Sequence, residues 1–242
     1  MWINEMELQK AAQVRLPAQL SPSSVDTLMI DMYAAFSSPA AVVVFVGAEP
    51  GTFCTGLDLA TEDDERFSVR GFSSVLASLL DSPKPTLAFV DGRALGGGLG
   101  IAAACDWVTA TDRSSFGLPE LLWGVIPAMI WPIIVTRMTE GVARRWTLSA
   151  DSRDAPEALA AGLVDELVLV DQSSAALKRT VRMLERAEPM AVRTLRHWIY
   201  ETREASIDTA LARGAAVTEQ MVGDPVTRAR IAAFDRGDSP WG

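Results

Sequence analysis

Val90-Asp91-Gly92-Arg93-Ala94-Leu95-Gly96-Gly97-Gly98-Leu99-Gly100-Ile101-Ala102-Ala103-Ala104-Cys105-Asp106 is the stretch on which the fold turns. The apolar run just before it, Thr86 to Val90, reads as a buried strand, and it feeds three consecutive glycines. The alanine-rich segment after them favours helix. A strand, then glycines, then a helix start sets bare backbone N–H groups at the positive end of a helix dipole, where an oxygen can approach closely. Such a place holds a phosphate or a developing enolate oxygen.

An isolated glycine triplet serves equally to let a helix pack tightly on a strand. The nucleotide readings fit poorly, because Gly96-x-Gly98-x-Gly100 lacks the G-x-G-x-x-G spacing and no Gly-Lys-Ser/Thr follows. An oxyanion site needs a second donor elsewhere in the chain. Phe53-Cys-Thr-Gly-Leu-Asp58 offers one. Gly56 lets the backbone turn sharply there, and the N–H of Leu57 follows it.

The 242 residues suffice for one large domain or a domain with an appendage, and 49% apolar against 22% charged residues is ordinary for a globular protein with a core. No apolar run approaches the roughly 18 residues of a membrane span, so no membrane partner is expected. Met1 to Glu7 lacks a basic start before an apolar stretch, and Cys54 and Cys105 form neither a disulfide framework nor a zinc spacing. A cytoplasmic location without a metal is therefore expected. The net charge of −9 argues against nucleic acid as a partner. It is concentrated in residues 1–136, with 7 basic and 15 acidic side chains, while residues 137–242 carry 15 and 16. The arginines of the second half, Arg137, Arg144, Arg145, Arg179, Arg182, Arg186, Arg193 and Arg196 among them, read mostly as solvated helix surface. A lesser reading is a dock for an anionic partner.

Along the chain, 6–16 suggests an edge strand. Ser21-Pro22 caps a helix with Val25, Leu28, Met29, Met32 and Tyr33 on one face, and Pro39 ends it. Ala41 to Val46 reads as a buried parallel strand. Glu62 to Glu65 reads as an exposed acidic loop and Phe67 to Leu80 as a helix. Strands are expected over 107–110, 115–122 and 163–170, helices over 131–138, 142–149 and 156–161, and three further helices between Ser174 and Phe234. The alternation predicts an α/β body over 1–172 and a helical region over 173–242.

Five segments in order, Phe53-Cys-Thr-Gly-Leu-Asp-Leu59, Gly92-x-Ala-x-Gly-Gly-Gly98, Ala104-Cys-Asp106, Phe116-Gly-x-Pro-Glu120 and Glu157-Ala-x-x-Ala-Gly-Leu-Val-Asp165, resemble the crotonase (enoyl-CoA hydratase/isomerase) superfamily. The resemblance implies a superhelix of repeated ββα units with C-terminal helices that build a homotrimer or hexamer. It also implies an acyl thioester held with its carbonyl between two backbone N–H groups, carried here by Leu57 and Gly97. Gly56, Asp58, Gly98, Gly100 and Trp123 are implied to lie around the substrate. No cofactor is implied beyond the substrate's own handle, CoA or the phosphopantetheine of an acyl carrier protein. Hydratases of the family hold water between two glutamates. Here the first position is Gly100 and the second is Glu120, the implied catalytic carboxylate. The position eight residues beyond, an aspartate in some diene isomerases and dehalogenases, is Ala128. Leu20-Ser-Pro-Ser-Ser-Val25 stands where relatives carry an Asn-Ala-Leu segment of the CoA site, which leaves carrier protein and CoA both open. The run from Leu118 to Ala128 and the Ser-Pro-Trp ending resemble homologues from polyketide β-branching cassettes, which dehydrate 3-hydroxy-3-methylglutaryl groups on a carrier protein.

The resulting expectation is a dehydratase or hydratase acting on an acyl thioester. Glu120 either works alone or is helped by a group such as Asp58 or Asp64. An apolar neighbourhood from Leu121 to Pro132 would raise the carboxyl pKa by desolvation. Double-bond migration, for which one shuttling carboxylate suffices, is the alternative, followed by decarboxylation and by a catalytically reduced scaffold for acyl carriers. His197, the only histidine, reads as a surface or interface residue, and the two cysteines as small packed side chains.

Overall fold

The computed structural model describes residues 10–58, 65–203 and 205–236. The expected acidic loop, Asp64 and the Ser-Pro-Trp ending lie outside the described residues, wholly or in most part. The chain runs β1 (Ala11–Leu16), α1 (Pro22–Ser37), β2 (Val42–Gly47), β3 (Gly51–Cys54), α2 (Glu65–Leu80), β4 (Thr86–Val90), β5 (Gly92–Leu95), α3 (Gly97–Ala104), β6 (Trp107–Thr111) and β7 (Ser115–Gly117). After a 3-10 turn over Glu120–Trp123 come α4 (Trp131–Arg137), α5 (Glu140–Ser149), β8 (Arg153–Asp154), α6 (Ala155–Ala160) and β9 (Glu166–Val168). Four helices close the described chain: α7 (Ser173–Leu184), α8 (Pro189–Glu201), α9 (Ile207–Gly223) and α10 (Pro225–Asp235).

Two sheets organise the body. The first is wholly parallel, in the order β1-β2-β4-β6-β9. The second has the order β3-β5-β7-β8, with only β8 antiparallel to its neighbour. Each of β2, β4 and β6 passes directly into its partner in the second sheet and then towards a helix, which is the expected ββα repeat. The apolar runs of β2 and β4 are continuous because both faces are covered. Val43, Phe45, Ala88 and Val90 join the main core, while Val42, Val44, Val46, Leu87 and Phe89 pack against Leu177 and Val181 of α7. The expected boundary at residues 172 and 173 thus falls just before a helix that packs on the sheet.

Local chemistry explains several ends. Ser21 caps α1 in a capping box with Ser24, and Pro22 occupies the first turn. The strand expected over 115–122 stops at Gly117. Pro119, at φ −82° and ψ 0°, has no N–H for a ladder and bends the chain into the 3-10 turn. Four helices rather than three follow Ser173, because Pro225 opens α10 directly after the end of α9. β3 and β5 were not expected as strands at all.

Two arginines expected on the surface are built into the body. Arg196 of α8 is only 6% exposed. It forks onto Asp106 at 2.6 and 2.9 Å and donates to the carbonyl oxygens of Ser82 and Lys84, both at 2.6 Å. Asp106 also accepts from the amide and hydroxyl of Thr86. Arg137 of α4 reaches the carboxyl end of α3, donating to Ala103 and Cys105 carbonyls and to Asp165. A cation there complements the helix dipole. His197 is half-exposed and, with Arg193, engages Asp81 beyond the end of α2. Both cysteines are buried, and burial pushes the Cys54 thiol up to about 11. No described helix is long and apolar enough to cross a membrane.

Candidate active site

The loop after β3 is held by backbone bonds and by the Thr55 hydroxyl, which donates to the Ala18 carbonyl at 2.8 Å. Leu20 donates to the Gly56 carbonyl and accepts from the Asp58 amide, each at 2.8 Å, forming an isolated parallel bridge between Leu20 and Leu57. Because groups alternate along an extended chain, the N–H of Leu57 faces the other way. Gly56 takes φ +88°, a conformation that side chains rarely adopt, and a Cβ there would sit 2.8 Å from the Gly97 nitrogen. This contact brings the start of α3 beside Leu57. Gly97 is the first residue of α3, so its N–H has no partner within the helix. Among the described residues no protein acceptor takes up the amide of Leu57 or of Gly97.

Gly98 and Gly100 make this approach possible from behind. A Cβ on Gly98 would overlap the carbonyl oxygen of Cys54 and lie 2.6 Å from its carbonyl carbon. A Cβ on Gly100 would overlap Cγ2 of Ile130 and lie 2.9 Å from its Cβ. Both glycines are buried, and neither lines the cavity described next.

That cavity, of about 280 Å³, opens against the two amides. Its walls include Phe72, Trp123, Val125, Ile126, Met129 and Ile130, with Gly56, Leu57 and Gly97 at one side. Glu120 is its charged group among the described residues. The side chain leaves the first position of the 3-10 turn, and one carboxylate oxygen stands 3.0 Å from where a Cβ of Gly96 would lie. The other oxygen, Oε2, is buried without a hydrogen-bond partner in the structure. Burial holds the carboxyl above the ordinary carboxylate range, opposed by a hydrogen bond from its own backbone amide. A cavity lined by hydrocarbon, with one carboxyl and two unpaired backbone N–H groups beside it, has the chemistry to hold and reprotonate an enolate.

The structure therefore brings together Leu57, Gly97, Gly56, Glu120 and Trp123. It packs Gly98 of α3 against Cys54 and sets Gly100 under Ile130 of the cavity wall. Asp58 is half-buried beside the bridge and not on the cavity wall. The apolar neighbours of Glu120 are divided: Ile130 is core, while Trp123 and Ile126 form a rim at 61% and 69% exposure. Phe72 carries no mark of a site in the sequence, and Ile130 enters there only as one of the apolar neighbours of Glu120. Phe72 sits on the buried face of α2 with Val75, Leu76 and Leu79, a spacing that signals core and nothing more. Nothing local marks Ile130.

A family model described as enoyl-CoA hydratase/isomerase matches residues 19–236. The chain is 29% identical to the short-chain-enoyl-CoA hydratase of Clostridium acetobutylicum over 88% of its own length and 87% of that protein. It is 27% identical to the bacillaene synthase dehydratase PksH of Bacillus subtilis, over 85% of this chain and 81% of that one. Among solved structures, Pseudomonas aeruginosa DspI superposes with a TM-score of 0.83 at 26% identity, covering 96% of this chain and 92% of that one.

Proposed function

The chain belongs to the enoyl-CoA hydratase/isomerase family of the crotonase superfamily, and on that premise we propose a lyase that removes or adds water across the C2–C3 bond of an acyl thioester. The observation that carries this reading is the unpartnered, buried carboxylate oxygen of Glu120 beside the two free amides. With the thioester oxygen on Leu57 and Gly97, Glu120 takes the C2 proton and the charge moves onto that oxygen as an enolate. The enolate then collapses, the C3–O bond breaks, and the hydroxyl leaves as water with the proton returned from Glu120. A carboxyl whose pKa burial raises is suited to a group that both takes and returns a proton. Losing one donor of such a pair costs about 3 kcal/mol of transition-state stabilisation.

The donor set is two amides and one carboxylate, and the proposed chemistry uses no cofactor. The handle is CoA or a carrier-protein phosphopantetheine. The likeness to PksH supports the finer reading of 3-hydroxy-3-methylglutaryl-carrier protein as substrate. The homotrimer or hexamer is supported by exposed apolar side chains on the last two helices, Leu211, Val222, Val226 and Ile231. A cytoplasmic location belongs to the same reading.

The test is mass spectrometry of the 3-hydroxy-3-methylglutaryl thioester on carrier protein and on CoA, with the wild type and Glu120→Gln. Loss of one water that falls by about 10²–10⁴-fold in the variant is the expected result. No mass change on either handle overturns the dehydratase. One observation favours a second reading. Ile130 fills the space above Gly100, where hydratases of the family carry their other glutamate, and a lone carboxylate suffices to move a proton from C2 to C4. Conversion of a 3-enoyl to a 2-enoyl thioester without water loss would establish the isomerase instead.

A further inference from the structure

We propose that Ile130 is a specificity-determining residue that limits how much acyl chain the cavity accepts beyond its third carbon, an inference that rests on the thioester reading above. Gly96, the N-cap of α3, and Gly100 within it are joined by the Gly100 amide donating to the Gly96 carbonyl at 3.0 Å. The Glu120 carboxylate stands over Gly96 and the branched end of Ile130 over Gly100. Glu120 and Ile130 both line the cavity. The proton-exchanging group and a β-branched hydrocarbon thus sit side by side on the cavity wall. A thioester with its oxygen on Gly97 and its C2 at Glu120 sends C3 and C4 towards Ile130.

Part of the wall can yield, while Ile130, like Phe72 at 1% exposure on the other side, cannot. Val125 and Ile126 are 41% and 69% exposed at the rim, and Met129 is a flexible side chain. Ile130 is 2% exposed. Its amide donates to Pro127, and its carbonyl accepts from Ile133 and Ile134 at the head of α4, so displacing it moves that helix. With the backbone of Gly100 behind it, its γ and δ carbons are a fixed stop.

The experiment titrates the full chain with unreactive saturated thioesters, butyryl-, hexanoyl- and octanoyl-pantetheine, by calorimetry. The wild type, Ile130→Val and Ile130→Ala are compared. The wild type is expected to bind the butyryl form at least 10-fold more tightly than the octanoyl form. Ile130→Ala should shrink or invert that ratio by about 10-fold or more, the effect of one or more methylenes in an apolar pocket. Ile130→Val, which loses only the δ carbon, should fall between and keeps the test valid if the alanine variant does not fold. Equal weakening of all three ligands, or an unchanged ratio, overturns the role of Ile130 while leaving the thioester site standing. Failure of every ligand to bind the wild type overturns both.

Discussion

Gly98→Ala tests whether the amides are positioned by backbone contact. The new methyl would meet the Cys54 carbonyl, with its carbon at 2.6 Å, where ordinary contact begins at 3.4 Å. The obstacle is backbone on both sides, and the carbonyl oxygen is nearer still, so α3 must retreat from β3 by at least about 1 Å. Overpacking of this kind costs about 1–3 kcal/mol, against a gain of at most about 1 kcal/mol in helix propensity. Gly141→Ala is the matched control, because Gly141 is also the second residue of its helix and a Cβ there meets nothing within 4 Å. Urea denaturation should show Gly98→Ala about 2 kcal/mol less stable than Gly141→Ala. The same retreat carries Gly97 away from Leu57, and a 1 Å misplacement of a catalytic group costs about 10²-fold in rate. Water loss from the thioester should therefore fall in kcat more than it changes KM. If Gly98→Ala matches Gly141→Ala in both stability and kcat, α3 is not wedged against β3 and the geometry argued for the two donors is wrong.

Gly100→Ala meets a side chain rather than backbone, so it should be destabilising alone and relieved by Ile130→Ala. A double-mutant cycle by denaturation should give a favourable coupling above about 0.5 kcal/mol, and strict additivity would count against the contact. Arg196→Met takes the cation from the partly buried Asp106, leaving it the two bonds from Thr86, and should lower stability by about 3 kcal/mol, read from the same denaturation midpoint. Glu120→Gln should raise thermal stability at pH 7, since burial disfavours the charged carboxyl and raises its folded-state pKa. That penalty is complete above the raised pKa and absent below the unfolded value of about 4.3, so the gain should vanish as pH falls through that range. A stability difference that persists at pH 3 would assign the effect to packing.

How much of this could be read from the residues follows from the range of the interactions. The runs Val42 to Val46 and Thr86 to Val90 are long and apolar enough to declare themselves as strands. Gly51–Cys54 and Gly92–Leu95 are four residues each, contain glycine, and exist because they pair with one another, so no local pattern shows them. The glycines around Gly97 and the turn before Leu57 pointed to two donors, and the resemblance to a known family paired them. Tight packing of a helix on a strand was one reading of the triplet, but the partners of Gly98 and Gly100 were hidden, because Cys54 and Ile130 are 44 and 30 positions away. Arg196 looked like helix surface for the same reason, its carboxylate partner being 90 residues earlier.

The donors at Leu57 and Gly97 are main-chain groups, and this changes how any library of variants of this protein should be interpreted. Exchanging Leu57 for another residue alters the wall but leaves its N–H in place, so a position proposed to hold the thioester oxygen should tolerate many substitutions. Intolerance falls instead on neighbours that never touch a substrate atom, Gly98 above all, whose missing side chain lets two pieces of backbone meet. A scan for lost activity would draw the outline of the supports and leave a blank at one of the two points they support.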